Sequence, residues 1–351
     1  MTAPDWTDPT LPHRLTVTML DPATRATVGT LEVSEDGCEV TESLDAATRA
    51  SARITVPEWS RYVDGSWVRL THTVDGTDWS EDLFTGFVWA DDAAYRDGVL
   101  RAEPELVSSL KALETCQLAW PYVLDAGAWS SAGCVAMCEA AMQPWRMESG
   151  FVDHLFGEAA VWDVGETHLD VLADLCGLEG DDYDVSGDGT VRLLRRPDPD
   201  AVEPAFSLDA DAPDTVVLAS GLGVSTQRRQ TANRAIVTYT GDDGDTWCGY
   251  SDAAGATAAA RRGYIVSETF DLEDAPDPCT AMELQRLAAE RLEEANADGG
   301  DEWTVRSLWM PVHAGDVGTW TPPGGTPRRV RVIEATRTAG TWRTDLTLRE
   351  V

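Results

Sequence analysis

Lysine is nearly absent from this chain of 351 residues: Lys111 stands alone and every other basic side chain is arginine, which reads as genomic composition bias. Basic residues as a class are scarce, 27 against 61 acidic, so the formal charge is −34 and the pI is near 4.3. A protein that grips nucleic acid by neutralising phosphates needs a clustered basic surface, and this deficit excludes one. No apolar run approaches the ~18 residues that a membrane-spanning helix requires. The opening Met1-Thr-Ala-Pro-Asp-Trp has neither a basic nor an apolar segment, which predicts no signal peptide.

Cysteine is also thin. Cys38, Cys116, Cys134, Cys138, Cys176, Cys248 and Cys279 are odd in number and scattered, unlike a small disulfide-stapled secreted scaffold. They read as free thiols of a protein made in a reducing cytosol. Cys134 and Cys138 would share one helical face and could supply half of a metal site. No second Cys or His pair accompanies them, so no metal is expected.

What the chain does contain is globular: 43% hydrophobic and 25% charged residues, enough to exclude wholesale disorder, over a length that suggests two or three domains. From His13 to about residue 101 the period is two. Leu15, Val17 and Met19 alternate with Thr16, Thr18 and Leu20; further strands are expected at 27–33, 53–56, 67–74, 84–95 and 99–102. Asp97-Gly98 is a hairpin signal, because both central residues of that turn need positive φ. Short strands at regular spacing predict a small antiparallel barrel or sandwich.

Character changes at Pro104, where proline at a first helical position and Leu106, Val107, Leu110 and Leu113 on one face predict a helix. Residues 116–162 concentrate Trp120, Trp129, Trp145 and Trp162 with three cysteines. Such a stretch reads as a helical or irregular insert, its tryptophans in a core or an interface. Thr167 and Asp170 form a capping box with Asp in place of Glu, and the helix it opens stops near Gly177. A hairpin turning at 186–189 follows, then a proline-rich loop over 197–215. Asn233-Arg234 begins a Val/Tyr strand to Gly241 that ends at Asp242-Asp243-Gly244-Asp245. A further strand is expected at 264–270. Thr280 and Glu283 cap a helix reaching about Asn296, and 303–310 is strand-like. A terminal hairpin, 328–336 with 341–351, turns at Gly340 and puts Trp342, Thr344, Leu346 and Leu348 on one side.

Asp184, Ser186, Asp188 and Gly189 sit at calcium-loop spacing, but the twelfth position holds Arg195 where a bidentate Glu is needed, so the segment is a turn. Gly221-Leu-Gly223 lacks the third glycine of a dinucleotide fingerprint. Asp209-Ala-Asp211 lies in the proline-rich loop, where acid pairs are common by chance. His13, His72, His154, His168 and His313 are isolated in sequence, and no metalloprotease helix, Walker loop or nucleophile elbow occurs. No catalytic, cofactor-binding or metal-ligating residue is expected.

The order of elements from residue 167 is similar to that of baseplate or tail hub proteins of long-tailed bacteriophages and related injection machines. That order runs through the capped helix before Gly177, the hairpin at Gly187-Asp-Gly189, the strand from Asn233-Arg234, the capped helix at 280–296, Gly315-Asp316-Val317 and the closing hairpin. The N-terminal half resembles the first barrel of such hubs through Phe84-Thr-Gly86-Phe-Val88, Asp97-Gly98 and the segment from Glu105. Residues 116–162 have no counterpart. The resemblance implies an α+β, mainly β chain. It comprises a tail-tube-like antiparallel β-barrel at 1–115, a mixed α/β middle domain at 116–215 and a second tube-like barrel at 216–351. It further implies a non-enzymatic homotrimer whose ring closes the tail tube at the virion tail tip and forms the channel for DNA ejection. The implied neighbours are the distal tail protein ring, the tape measure protein and tail fibre or receptor-binding proteins. Assembly is expected in the bacterial host cytoplasm, with no cofactor and no membrane insertion.

An acidic lumen would repel passing phosphate; solubility or a salt-adapted producer explains the charge equally well. The alternative reading is a cell-wall or polysaccharide-degrading, or sugar-binding, tail-tip protein with the Trp-rich insert as its binding face.

Overall fold

The alternation around Leu15 and Val17 becomes strand β1 (His13–Leu20) in the computed structural model. The structure describes residues 4–57, 66–96, 99–213, 215–226, 232–241, 246–253, 259, 263–272, 280–297 and 301–351. The chain continues through β2 (Thr27–Leu31), β3 (Ser34–Ser43), β4 (Ala50–Thr55), β5 (Trp67–Val74), β6 (Ser80–Arg96) and β7 (Val99–Ser108). The middle region holds α1 (Leu110–Thr115), β8 (Tyr122–Leu124), α2 (Ser130–Ala140), β9 (Trp145–Met147), β10 (Ala160–Trp162), α3 (His168–Gly177), β11 (Asp182–Val185), β12 (Val191–Leu194) and β13 (Phe206–Asp209). Then come β14 (Gly223–Thr226), β15 (Arg234–Thr240), β16 (Thr246–Asp252), β17 (Ser267–Leu272), α4 (Ala281–Ala297), β18 (Asp301–Leu308), β19 (Val317–Thr321), β20 (Arg328–Thr338) and β21 (Arg343–Glu350). The class is α+β and mainly β, as expected.

The chain divides into two compact units, Met1–Gly221 with Val305–Thr347 and Leu222–Thr304 with Leu348–Val351. In the first, which takes residues 305–308 of β18 and 343–347 of β21, the sheet runs β18-β21-β20-β3-β4-β7-β6-β5-β1-β2; β19 branches from β20 and pairs in turn with β13. Strands expected in two separate barrels are therefore hydrogen-bonded into one path. The link is β3 against β20, antiparallel from Glu39↔Thr338 to Ser43↔Glu334. No closed barrel occurs among the described residues. Val17, Ile54, Leu70, Phe84 and Leu106 bury one face of this sheet, each worth roughly 1.5–3 kcal/mol when fully removed from water.

The helix expected from Pro104 is absent, and this is a correction. Residues 104–108 finish β7, which is hydrogen-bonded to β4 on one side and β6 on the other. Pro104 lies opposite Asp91, beside a register shift between Val88 and Ala90, and a bulge is where a strand tolerates proline. Two flanking ladders outweigh the N-terminal preference of proline, and α1 starts only after Ser109. The strands around Asp97-Gly98 pair up to Arg96↔Val99. That turn, the acidic run 242–245 and Cys279 lie outside the described residues.

A separate core joins Leu113, Cys134, Met137, Cys138, Leu172, Leu175 and Leu193 between α2, α3 and the β11–β12 hairpin. Thr167 caps α3 in a complete capping box with Asp170. In the second unit, α4 lays Leu284, Ala288 and Leu292 on Ala235 and Val237 of the β16-β15-β17 sheet. Gly249 lets it approach: a Cβ there would stand 2.5 Å from the Gln285 nitrogen.

Candidate functional site

Alternation places two polar residues at inward positions of the main sheet. His72 follows Leu70 and precedes Val74 on the buried face of β5, and Arg337 follows Ala335 on that of β20. Burying them requires partners, because an unpaired charge in the interior is costly. Arg337 Nη1 donates to Glu42 Oε1 at 2.8 Å, and its Nη2 also donates to the Val312 carbonyl. His313 Nδ1 lies 3.1 Å from Glu42 Oε1, and its Nε2 lies 2.7 Å from Glu81 Oε1. Burial pushes the Glu42 carboxyl upward, but Arg337 and His313 outweigh it and hold it well below the ordinary range. Burial alone would lower His313; the two glutamates instead raise it to about 10, so it is a cation at neutral pH. Asp316, desolvated nearby, is raised.

Beside this quartet lies a nest of rings. His13 Nδ1 and His72 Nε2 are 3.0 Å apart, so one imidazole donates and the other accepts. Trp342 stacks on His13 at 4.8 Å, Trp309 tilts over His72 at 4.4 Å, and Trp6 flanks both histidines. Burial first, then the positive neighbours His13 and Arg337, bring His72 down to about 4 despite Glu81.

A cavity of about 510 Å³ opens next to the quartet, lined by Glu42, Glu81, His313 and Asp316 together with Arg49, Arg192, Arg195, Arg196 and Asp184. Its arginines are tied to acids. Arg49 reaches Asp182 at 2.8 Å, Arg192 reaches Asp184 at 2.7 Å, and Arg196 reaches Asp182 at 2.9 Å. The network fastens the β11–β12 hairpin to the main sheet, and the hairpin tip docks on β6. Thr85 Oγ1 donates to the Gly187 carbonyl at 2.7 Å and Ser109 Oγ to that of Gly189 at 2.9 Å.

The residues weighed for chemistry in the sequence have local structural contacts. Asp188 accepts from Ser186 Oγ and the Thr190 amide, closing the hairpin turn; Asp184 pairs with Arg192 and Arg196 rather than facing Asp188 as a ligand pair. Asp209 accepts the Asp211 amide, and Asp211 accepts that of Gly324. Cys134 and Cys138 share a face of α2 as expected, both buried, with Cys134 Sγ 4.0 Å from Cys176 Sγ on α3. Burial pushes the Cys138 thiol up to about 12. Of the four tryptophans in 116–162, Trp162 is core, Trp129 and Trp145 are exposed, and Trp120 is 82% exposed. The meeting of His13 with His72, and of His313 with Glu42 and Glu81, is not legible in the sequence, although the inward parity of His72 signals a buried imidazole.

No family model and no curated protein sequence matches the chain. Solved structures do. The 43 kDa tail protein of prophage MuSo2 from Shewanella oneidensis superposes with a TM-score of 0.70 at 10% identity, covering 96% of this chain and 98% of that one. The tail protein from Neisseria meningitidis MC58 gives 0.70 at 11% identity, covering 97% of each chain. Prophage tail protein gp18 from Listeria monocytogenes EGD-e gives 0.56 at 10%, covering 95% and 94%. The fold of this chain is that of phage tail proteins.

Proposed function

We propose that this chain is a structural hub protein of a phage tail tip. Three copies form a ring that closes the tail tube and leaves a channel for DNA, with residues 1–115 and 216–351 as its tube-like parts and 116–215 as the middle domain. The observation that supports this reading most is the fold shared end to end with two prophage tail proteins, over 96–97% of this chain. The charge of −34 suits a wall that phosphate passes without sticking. The distal tail ring, the tape measure protein and receptor-binding proteins are its proposed neighbours, and assembly takes place in the host cytoplasm.

Solution mass at physiological salt tests the reading: a trimer with a central channel in a low-resolution map is expected. Because the subunits repel, the ring loosens at low salt and tightens as screening shortens toward about 8 Å. A monomer at all salt concentrations overturns it. The exposed Trp120, Trp129 and Trp145 favour one second reading, a glycan-binding tail-tip protein; a monomer that binds or cleaves host polysaccharide, and loses this in Trp120→Ala, is its signature.

A further inference from the structure

The His13–His72 pair joins two distant stretches of the chain. His13 on β1 and His72 on β5 meet Trp309, just after β18, and Trp342, just before β21. Only one arrangement of protons suits this nest. His72 Nδ1 is buried without a hydrogen-bond partner. A bare lone pair is cheaper to bury there than an N–H, so His72 donates from Nε2 and His13 Nδ1 accepts. A proton added to His72 must then go on Nδ1, where the nest offers no acceptor. A proton added to His13 Nδ1 would face the Nε2–H donor of His72. On His13 the proton removes the shared hydrogen bond; on His72 that bond survives, but a charged N–H is buried with no acceptor in the nest.

One vacant acceptor lies within the fold. Glu81 stands opposite His72 in the β5–β6 register, and while its Oε1 holds His313, its Oε2 is buried without a partner. We infer that His72 is a proton-driven latch: neutral, it is bonded to His13 and holds the Trp309 and Trp342 segments against β1 and β5; protonated, it turns to Glu81 Oε2 and lets them go. The titratable and charged groups facing His72 are His13 from β1, Glu81 from β6 and Arg337 from β20. His13 and Arg337 oppose the proton and Glu81 favours it. Both histidines are shifted below their ordinary value. A depressed base is protonated more readily when released, so the closed state is secure above pH 6.5 and weakens as pH falls toward about 4. Between those limits one proton changes the opening equilibrium up to about tenfold per pH unit.

Hydrogen exchange of the full chain between pH 7 and 4.5, corrected for the intrinsic rate, tests this. Segments containing Trp309 and Trp342 lose protection first, while the β11–β12 hairpin keeps its own. His72→Gln keeps a donor without the titration and flattens the response; His168→Gln, at another buried histidine, leaves it intact. Unchanged protection in the wild type, simultaneous loss in all segments, or a response that persists in His72→Gln overturns the latch. If His72→Gln does not fold, histidine-labelled NMR of the wild type decides. Rings of His13 and His72 that shift together with the loss of protection support the latch, and a His72 ring that titrates near 6.5 without moving His13 overturns it.

Discussion

Arg337 and Glu42 are 295 residues apart in the chain and 2.8 Å apart in the fold, the guanidinium fully buried and the carboxylate nearly so. They sit on β20 and β3, the two strands whose pairing joins the C-terminal part of the first unit to its N-terminal part. Their ion pair seals that seam.

Removing one member leaves the other charged and desolvated. Arg337→Ala is expected to cost about 3–5 kcal/mol in urea unfolding, and Arg337→Lys recovers only part of it because one ammonium cannot serve both Glu42 and the Val312 carbonyl. Glu42 has a depressed acid pKa in the folded state, so its contribution is present above the unfolded value of 4.5 and is lost as pH falls below it. The gap between wild type and Glu42→Gln should therefore close in acid.

His313 has the opposite sign. Its folded value is raised to about 10, so its stabilisation is complete below the unfolded value of 6.5 and disappears as pH rises through about 10. Unfolding of His313→Gln and wild type across pH 6 to 10.5 should show a difference that is largest at the acid end and vanishes at the alkaline end.

The tip of the β11–β12 hairpin depends on a missing side chain. A Cβ on Gly187 would stand 1.6 Å from the Asp82 carbonyl oxygen, so Gly187→Ala must lift the tip and strain the Thr85 hydrogen bond, at about 1–3 kcal/mol. Gly157→Ala, with nothing within 4 Å, should change the melting temperature little.

Thr167→Ala removes the α3 capping box, in which Thr167 accepts from the Asp170 amide and Asp170 from the Thr167 amide. A loss of about 1 kcal/mol is expected by thermal unfolding, with the tertiary contacts of Leu172 and Leu175 intact by near-ultraviolet circular dichroism.

Much of this could be read in the residues themselves. Strand β1, the hairpin from Asp182 to Leu194, the capped α3 and α4 and the inward row of Thr344, Leu346 and Leu348 are all local patterns. Pro104 misled because its helix-starting preference is a property of a few residues. The ladders on both sides of β7 come from residues 51 to 53 and 86 to 96.

By itself, the sequence determined which residues face inward, where helices start and turns close, and how far charge departs from zero, since these depend on neighbours within a few positions. Only the tertiary structure decided that β3 meets β20, that Glu42 finds Arg337, and that His13 meets His72. Alternation marks a face as buried without naming the strand beside it. A buried charge or imidazole demands a partner, but the chain's packing chooses which one, because desolvation penalises every arrangement except those in which the polar groups happen to meet.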